Sequence, residues 1–521
     1  MSMVTREPVT VTEHGILVPL GRFAQQVGLF DAFERVPFAM KTVVHSPGEK
    51  LAELLCHICG GGMYVNDLEN SAHPLLADPT VAVAWGQPAF ASASGVNALL
   101  RKTSPMTVAA VTKELQAVLA PYRQRILRGI TSSWIVVDLD LMGLVVSDQA
   151  TTYEDADYGY MGETGKLGKG YQFARAQLAT KRDSLILGGF LHPGHTISSQ
   201  CVRELVGLIE ATLGRPRRRV EVLTERLAVL STQASTLAAQ LAHWDAQGRR
   251  RRSQAAVEAR LATLRSQIQK LEQRRATGTA ENQANPAPRR IVLRMDAGFG
   301  TAEHVAWLYE QGYSVIAKVH SPHIAPCLRA EANLRWDKIS KNGFIAASTR
   351  TQLGDCPYPL RLFACKQWWG DDRPEHWSAL AATPDLTAAD WPAREVGVFY
   401  NGRQTMEAGI KESKGIFASR HLPTRHQAGI ALYQELVLFA QNFLRWFRRQ
   451  ILGNTELASA GIKALVQIGA NSRATIVLTA LGLTLTFVSD GPWCSHAIVL
   501  RAHFTYQLAL PGFDPCPEAP A

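Results

Sequence analysis

Two apolar, β-branched runs of this chain contain acidic residues where a buried strand would normally contain none. The run SSWIVVDLDLMGLVVS, residues 132–147, carries Asp138 and Asp140, and the run RRIVLRMDAGFG, residues 289–300, reaches Asp296. Such runs are typical of buried strands, and a carboxylate inside one costs free energy unless it is paired or binds a cation. The two runs therefore predict a sheet whose acids lie close together.

A third acid lies in YNGRQTMEAGIKESKG, residues 400–415, which is rich in positive charge. Its chemistry-bearing side chains are Tyr400, Arg403, Glu407, Lys411 and Lys414. On one continuous α-helix these side chains fall within a sector of roughly 80°, whereas Glu412 points away from it. A solvated helix face with i,i+4 ion pairs is the ordinary interpretation of such a segment.

Carboxylates from separate elements favour a second interpretation. Hard oxygen ligands that converge in this way are what Mg²⁺ requires. A pair of Mg²⁺ (or Mn²⁺) ions can activate one oxygen and stabilise another during attack on a phosphodiester. We therefore consider Asp140, Asp138, Asp296 and Glu407 as metal ligands, with the neighbouring basic side chains contacting phosphate oxygens.

The net charge of +10 is concentrated in one part of the 521-residue chain, which is long enough for several domains. Residues 215–290 hold 16 Lys and Arg against 6 Asp and Glu, and the remainder is neutral. Leucine-rich stripes on both sides of the sequence GRRRR predict two amphipathic helices that form an antiparallel hairpin. Its arginines, Arg249, Arg250, Arg251 and Arg252, are candidates for phosphate contacts. A dimerisation arm and a solvated surface hairpin remain alternatives.

Other features bound the compartment and exclude some classes of site. The N-terminal sequence is polar, and the longest apolar run, residues 474–487, is too short to span a bilayer and predicts a buried β-hairpin. Eight cysteines of unpaired spacing indicate a reducing cytoplasm. Cys56 and Cys59 have no second pair at zinc-site spacing, so we predict that they pack in a core.

These motifs together resemble the DDE transposases of bacterial insertion sequences that carry a Y-(2)-R-(3)-E-(6)-K signature. The signature residues are Tyr400, Arg403, Glu407 and Lys414. RMDAGF is similar to the second-aspartate strand of the group, and VVDLDLMGL is similar to the first. The register indicates Asp140 as the first aspartate, but Met142 stands where threonine is usual, so Asp138 remains an alternative. The segment from GGGMYVNDLEN to SASGVNALLRK resembles the N-terminal region of the same group.

The resemblance implies an activity and a set of partners. It implies a two-metal mechanism with Asp140, Asp296 and Glu407 as catalytic residues, which cuts element ends and joins 3′-hydroxyls to target DNA. Tyr400, Arg403, Lys411 and Lys414 would contact DNA, and Trp368 or Trp369 would stack on a flipped base. Expected partners are double-stranded DNA and further copies in a homodimer or larger synaptic complex, without a membrane and at the nucleoid of a bacterial cytoplasm.

The expected fold is α/β, with an RNase H-like catalytic core interrupted by insertions. The expected regions are a helical N-terminal DNA-binding region (1–128), the first part of the core (129–214), the inserted helical hairpin (215–288), the second part of the core (289–325), a β-rich insertion (326–396), the C-terminal helices of the core (397–455), and a C-terminal β-hairpin with a tail (456–521). Two alternative functions remain open: a catalytically inactive transposase-derived DNA-binding protein, and a plain nuclease on the same core.

Overall fold

The computed structural model describes residues 9–40, 44–161, 167–180, 184–247, 253–319, 323–370, 374–479, 482–488 and 497–501. The helices are α1 (Leu17–Gln26), α2 (Leu29–Glu34), α3 (Pro47–Cys59), α4 (Asp67–Asn70), α5 (Pro79–Ala84), α6 (Ala93–Lys102), α7 (Pro105–Arg128), α8 (Ser198–Leu213), α9 (Val220–Ala246), α10 (Gln254–Gln283), α11 (Ala302–Glu310), α12 (Ile324–Arg329), α13 (Ala393–Asn401), α14 (Gln404–Gly415), α15 (Gln427–Gln450) and α16 (Ile462–Gln467). The strands are β1 (Val9–Thr12), β2 (Ile135–Val145), β3 (Asp157–Tyr160), β4 (Leu167–Ala179), β5 (Ser184–Pro193), β6 (Ile291–Met295), β7 (Ser314–Lys318), β8 (Asp337–Lys338), β9 (Gly343–Ala347), β10 (Arg361–Gln367), β11 (His376–Ala382), β12 (Ala474–Thr479), β13 (Gly482–Phe487) and β14 (Ala497–Arg501).

A mixed sheet forms the centre of this α/β chain. Its strand order is β3-β4-β2-β6-β7-β11-β10-β9-β8, and β5 pairs with β4 beside that path. Strands β2, β6 and β7 are parallel to one another, and the other neighbours in the sheet are antiparallel. Parallel strands are buried on both faces, which explains the continuous apolar runs of β2 and β6.

Helices cover both faces of this sheet. Helix α8 packs on β2, β4 and β5, and α11 packs on β7. Helix α14 packs on β2 and β4, and α13 packs on β8 and β9 through a small core that includes Ile316, Ile345 and Val396. Because side chains alternate along a strand, α13 and α14 lie over the face that carries Asp138 and Asp140.

The N-terminal helices surround α15, which is buried along most of its length. Phe23 of α1 stacks on Phe443 of α15 with ring centroids 5.2 Å apart, and Tyr122 of α7 stacks on Trp446 at 5.6 Å. Cys56 and Cys59 are buried in α3, as predicted. The six cysteines of the described residues are all free thiols.

Two of the expected regions contain strand pairings that the sequence did not indicate. The N-terminal region is not only helical, because β1 pairs with β12 in a second sheet of order β1-β12-β13-β14. This sheet joins the two ends of the chain and contains the predicted C-terminal hairpin, in which Ala474 pairs with Phe487. The expected β-rich insertion (326–396) contains β8 to β11, which extend the main sheet beyond β7.

The two predicted amphipathic helices are α9 and α10, which pack against each other as a hairpin between α8 and β6. Leu223, Leu227 and Leu271 form a small core between them. The two ends of the insert meet at its base, where the Arg289 amide donates to the carbonyl of Arg215 (2.9 Å). The Arg218 amide likewise donates to Oδ1 of Asn282 (2.7 Å), whose amide donates back to the Arg218 carbonyl (2.9 Å).

Part of the basic excess of this segment stabilises its attachment to the core. Arg218 pairs with Glu210 of α8 at 2.7 Å, and Arg219 pairs with Asp385 at 2.7 Å. Arg226 and Arg274 both pair with the buried Glu310 of α11, at 3.2 and 2.8 Å. These arginines therefore hold the hairpin to the body of the protein and are not free to bind a polyanion.

Candidate active site

Asp140 of β2 and Asp296, which follows β6, lie side by side where the parallel pairing of these two strands ends. Leu139 of β2 pairs with Met295 of β6, and each aspartate is the next residue of its chain. Neighbouring strands are separated by about 4.8 Å. Burial raises the pKa of Asp140, Arg403 opposes the rise, and the charge of Asp296 adds to it. The predicted approach of these two acids is thus present in the structure.

Asp138 has a different environment from Asp140. Its side chain is 0% exposed, and both of its oxygens accept hydrogen bonds from Arg294, at 2.7 and 2.8 Å. Burial raises the pKa of Asp138, whereas Arg294 opposes the rise. Arg294 also donates to the carbonyl of Phe399 at 2.7 Å, so this buried ion pair ties α13 to the sheet. Asp138 therefore acts as a structural partner of Arg294, with no oxygen left for a ligand.

Arg403 connects Asp140 with Glu407. Its Nη2 lies 3.0 Å from Oδ2 of Asp140 and donates to the carbonyl of Leu139 at 3.2 Å, and its Nη1 lies 3.8 Å from Oε1 of Glu407. Burial works against the charged form of Arg403, but the neighbouring carboxylates, chiefly Asp140, raise its pKa. Arg403 is only 7% exposed, so it is a fixed internal cation between the two acids.

The signature segment is two helices and not one, which corrects the single-helix expectation. Tyr400 lies on α13, the chain turns at Gly402, and Arg403 precedes the first residue of α14. A Cβ at position 402 would lie 2.4 Å from Nη1 of Arg294, so only glycine fits this approach. The turn directs the hydroxyl of the half-buried Tyr400 to the carbonyl of Met295 (3.3 Å), and desolvation raises the pKa of Tyr400. Tyr400 thus packs beside Asp296 through the fold of the chain.

The exposed side of α14 carries Glu407 and two lysines. The Glu407 side chain is 57% exposed. Lys411 is exposed and Lys414 is half-buried, and neither side chain makes an ion pair within the described residues. Glu412 differs, because it is buried against α15 in an ion pair with Arg445 at 2.5 Å. This division matches the sequence prediction that Glu412 points away from Glu407.

The carboxylates fit a divalent cation only in part. Asp140 and Asp296 supply adjacent hard oxygens, which is the chemistry that Mg²⁺ prefers. Across the described ranges, however, no group of three or more His, Cys, Asp and Glu side chains is placed to hold one metal ion. Glu407 contacts Arg403 and does not join the aspartates directly.

The remaining predicted residues do not join this cluster. Trp368 and Trp369 follow β10 and are 43% and 45% exposed. Strand β10 is three strands from β6, or about 14 Å across the sheet. Arg249, Arg250, Arg251 and Arg252 lie outside the described residues.

Two buried arginines near the acids were missed by the sequence analysis. Arg294 lies inside the RMDAGF motif, and Arg175 lies on β4 opposite Asp140. Both are charged residues within apolar strand sequences, and a charge in such a run signals a buried partner. A charge within an apolar run indicates a buried partner for Arg294 and Arg175 in the same way as it does for the aspartates.

Comparison with known proteins gives no relative for this chain. No protein-family model matches it, and no curated protein matches its sequence. Among the described residues, no helix is both long enough and apolar enough to cross a membrane.

Proposed function

We propose that this chain is a DDE transposase, which cleaves DNA at the ends of an insertion sequence and transfers the strands to target DNA. The observation that carries the proposal is the side-by-side position of Asp140 and Asp296 where the parallel pairing of β2 with β6 ends, with Arg403 connecting Asp140 to Glu407. These three acids come from distant parts of the sequence. The approach of the two aspartates, and the link to Glu407 through Arg403, support a shared role in phosphate chemistry.

The architecture supports an RNase H-like core for this proposal. The central sheet is mixed, helices lie on both of its faces, and the two aspartates share one edge. The hairpin enters between α8 and β6 without interrupting the pairing of β2 with β6. The first part of the proposed core (129–214) and the second (289–325) therefore belong to the same sheet.

Each residue of the proposed site has a role that follows from its surroundings. Asp140, Asp296 and Glu407 would hold the divalent ions, which supply Lewis-acid activation of the attacking and leaving oxygens. Arg403 is anchored by Asp140 and balances the negative charge of the acids. Lys411 and Lys414 extend from α14 beside Glu407, where they can contact phosphate oxygens of bound DNA.

Asp140, rather than Asp138, is our proposed first aspartate. Both oxygens of Asp138 already accept from Arg294, and its side chain is inaccessible. Asp140 is 15% exposed and neighbours Asp296. Met142, which stands where the family usually has threonine, is buried in a separate apolar cluster. The proposal also includes double-stranded DNA and a multimeric complex of this chain, which hold the two ends together.

The test uses linear DNA that carries the segments bordering the gene for this chain. Wild-type protein with Mg²⁺ or Mn²⁺ is expected to cut at defined positions, seen as discrete fragments on a sequencing gel. Asp296→Asn and Glu407→Gln are each expected to reduce cutting at least 1000-fold. Glu395→Gln serves as a matched control, because Glu395 is an exposed glutamate on the neighbouring helix α13 and pairs only with Arg394. Full cutting by Glu407→Gln would exclude the proposed mechanism.

An inactive DNA-binding protein is the second candidate function. It is favoured by the engagement of Glu407 with Arg403, which leaves the three acids without a common centre in the described residues. This candidate predicts that wild-type protein retains the end-containing DNA in a gel-shift assay but never cuts it. Cutting without preference for the ends would instead identify a plain nuclease.

A further inference from the structure

Arg175 is a charged residue in the interior of the protein, on the strand next to Asp140 of the proposed site. It lies on β4, pairs in register with Asp140 on β2, and is 0% exposed. Burial lowers its pKa to about 10, and the nearby charge of Asp140 acts in the opposite direction. A buried guanidinium carries a desolvation penalty of several kcal/mol, so its place here calls for strong local partners.

The guanidinium of Arg175 connects the sheet to helix α14. Its Nη2 donates to Oε1 of Gln177 at 2.7 Å, and its Nη1 donates to Oγ of Ser413 at 3.3 Å. Ser413 in turn donates to Oε1 of Gln441 at 2.9 Å, and the amide of Gln441 donates to the carbonyl of Gly409 at 3.0 Å. One buried hydrogen-bonded network thus joins β4, α14 and α15.

Helix α14 lies in close contact with this guanidinium. A Cβ at position 409 would lie 3.0 Å from Nη2 of Arg175 and 3.1 Å from Oε1 of Gln177. Gly409 is two residues beyond Glu407 on the same helix. The height and rotation of α14 at this contact therefore determine where Glu407 lies relative to the aspartates.

The charges around Arg175 alternate in sign across the interior. Asp140 lies on one side, and the ion pair of Glu412 with Arg445 lies on the other. The Nε of Arg175 is buried and has no hydrogen-bond partner among the described residues. Arg175 thus interacts with Asp140 through charge and with α14 through hydrogen bonds.

We propose that Arg175 is the positioning residue of the site, which orients Asp140 from the neighbouring strand and fixes helix α14, and with it the position of Glu407 relative to the two aspartates. Its catalytic consequence rests on the proposed function, whereas its effect on α14 does not. Arg175 contacts no substrate, and it acts through Asp140, Ser413 and Gly409. A purely stabilising arginine would instead affect the whole fold uniformly.

The test compares Arg175→Met with Arg22→Met. Arg22 is a matched control because it is also buried, its pKa is also lowered to about 10 by burial, and it lies in α1 within the N-terminal helices. Hydrogen–deuterium exchange followed by mass spectrometry measures the opening of α14, and the end-containing DNA described above reports cleavage. Arg175→Met is expected to speed exchange in residues 404–415 at least 10-fold and to reduce cleavage at least 100-fold. Arg22→Met is expected to change both by less than 2-fold.

Arg175→Lys separates the two ways in which Arg175 acts. Lysine keeps the positive charge beside Asp140 but has one nitrogen in place of the planar fork. Cleavage by Arg175→Lys is expected to recover to within about 10-fold of wild type, while α14 still exchanges faster. Wild-type exchange in α14 of Arg175→Met would overturn the proposal.

Ser413→Ala keeps the proposal testable if Arg175→Met does not fold. This variant retains the buried charge and removes the hydroxyl through which α14 contacts both Arg175 and Gln441, and it is expected to speed exchange in residues 404–415 at least 3-fold. Unchanged exchange in that variant would also overturn the proposal. Absence of cleavage by wild-type protein would reject the proposed function, while the exchange results would still decide the role of Arg175.

Discussion

Nη2 of Arg403 lies 3.0 Å from Oδ2 of Asp140, inside the proposed active site. The sequence analysis treated this arginine as a DNA contact. In the structure it is buried, and its partners are Asp140, Glu407 and the carbonyl of Leu139. The site therefore includes its own cation, and the acids on both sides of Arg403 have different degrees of exposure.

Substitution of Asp138 and Asp140 of β2 should affect stability and cleavage to different degrees. Asp138→Asn leaves Arg294 buried without its charge partner, so we expect the free energy of unfolding to fall by about 3 kcal/mol. Asp140→Asn removes one charged partner of the buried Arg403 but leaves Glu407 beside it and relieves repulsion from Asp296, so we expect a smaller loss of about 1 to 2 kcal/mol together with complete loss of cleavage. Urea unfolding and the cleavage assay measure the two effects. Full activity of Asp140→Asn would reverse the assignment.

Glu407 and Glu412 form a second contrast, on opposite sides of α14. Glu407→Gln should leave the melting temperature within about 2 °C of wild type, because the side chain is largely exposed. Glu412→Gln removes the partner of the buried Arg445, so we expect it to lower the free energy of unfolding by about 3 kcal/mol. Calorimetry measures both variants. Equal destabilisation by the two substitutions would contradict the difference in burial.

The buried Glu53 of α3 should contribute to a decrease in stability as the pH rises from about 6.5 to about 8. Burial raises the pKa of Glu53 from 4.5 to about 8, although the amide of Ala91 donates to it. Across this interval the folded state keeps a proton that the unfolded state has lost, so the free energy of unfolding falls with pH. Below this interval the buried His57, whose pKa is lowered by burial from 6.5 to about 4, acts in the opposite direction. Glu53→Gln should reduce the decrease, as measured by urea unfolding at pH 6.5 and pH 8. An unchanged slope would exclude Glu53 as its cause.

The four arginines between α9 and α10 in the sequence are expected to contribute more to DNA binding than the basic residues of α10. A first variant changes Arg249, Arg250, Arg251 and Arg252 to Ala, and a second changes Arg260, Arg265, Lys270 and Arg275 of α10 to Ala. Each lost phosphate contact should reduce the steepness of the plot of log affinity against log salt concentration by about 0.9. We expect the salt dependence to become less steep in the first variant. The change in steepness should be smaller in the second variant, whose substituted side chains point in different directions around α10. Equal effects would mean that only the total charge matters.

Local patterns predicted the individual elements better than their arrangement. The acid-containing runs are β2 and the end of β6, the leucine stripes are α9 and α10, and the alternating run near the C-terminus is β12 and β13. Each follows from a periodicity within a few residues. The pairing of β1 with β12 joins positions more than 460 residues apart, and the sequence contains no local signal for it.

The acids of the proposed site were identified from the sequence, whereas the roles of the buried Arg294 and Arg175 beside them were not. A run of types and spacings identified Asp140, Asp296 and Glu407, but the turn at Gly402 depends on a close approach by Arg294 from another strand. Likewise, the importance of Arg175 appears only when β4 is paired with β2 in the observed register. Such contacts depend on tertiary packing, which overrides the helical spacing assumed for residues 400–415.

The base of the α9–α10 hairpin has a consequence for engineering. Because Arg289 and Arg215 are hydrogen-bonded where the insert leaves and rejoins the body, the two chain ends lie close together in the folded protein. A fluorescent reporter or an unrelated recognition module can therefore replace the outer part of the helices, beyond Arg226 and Arg274, so that the ion pairs of these two arginines with Glu310 are kept. A short loop in place of the outer part of the hairpin would also shorten the protein without separating β2 from β6.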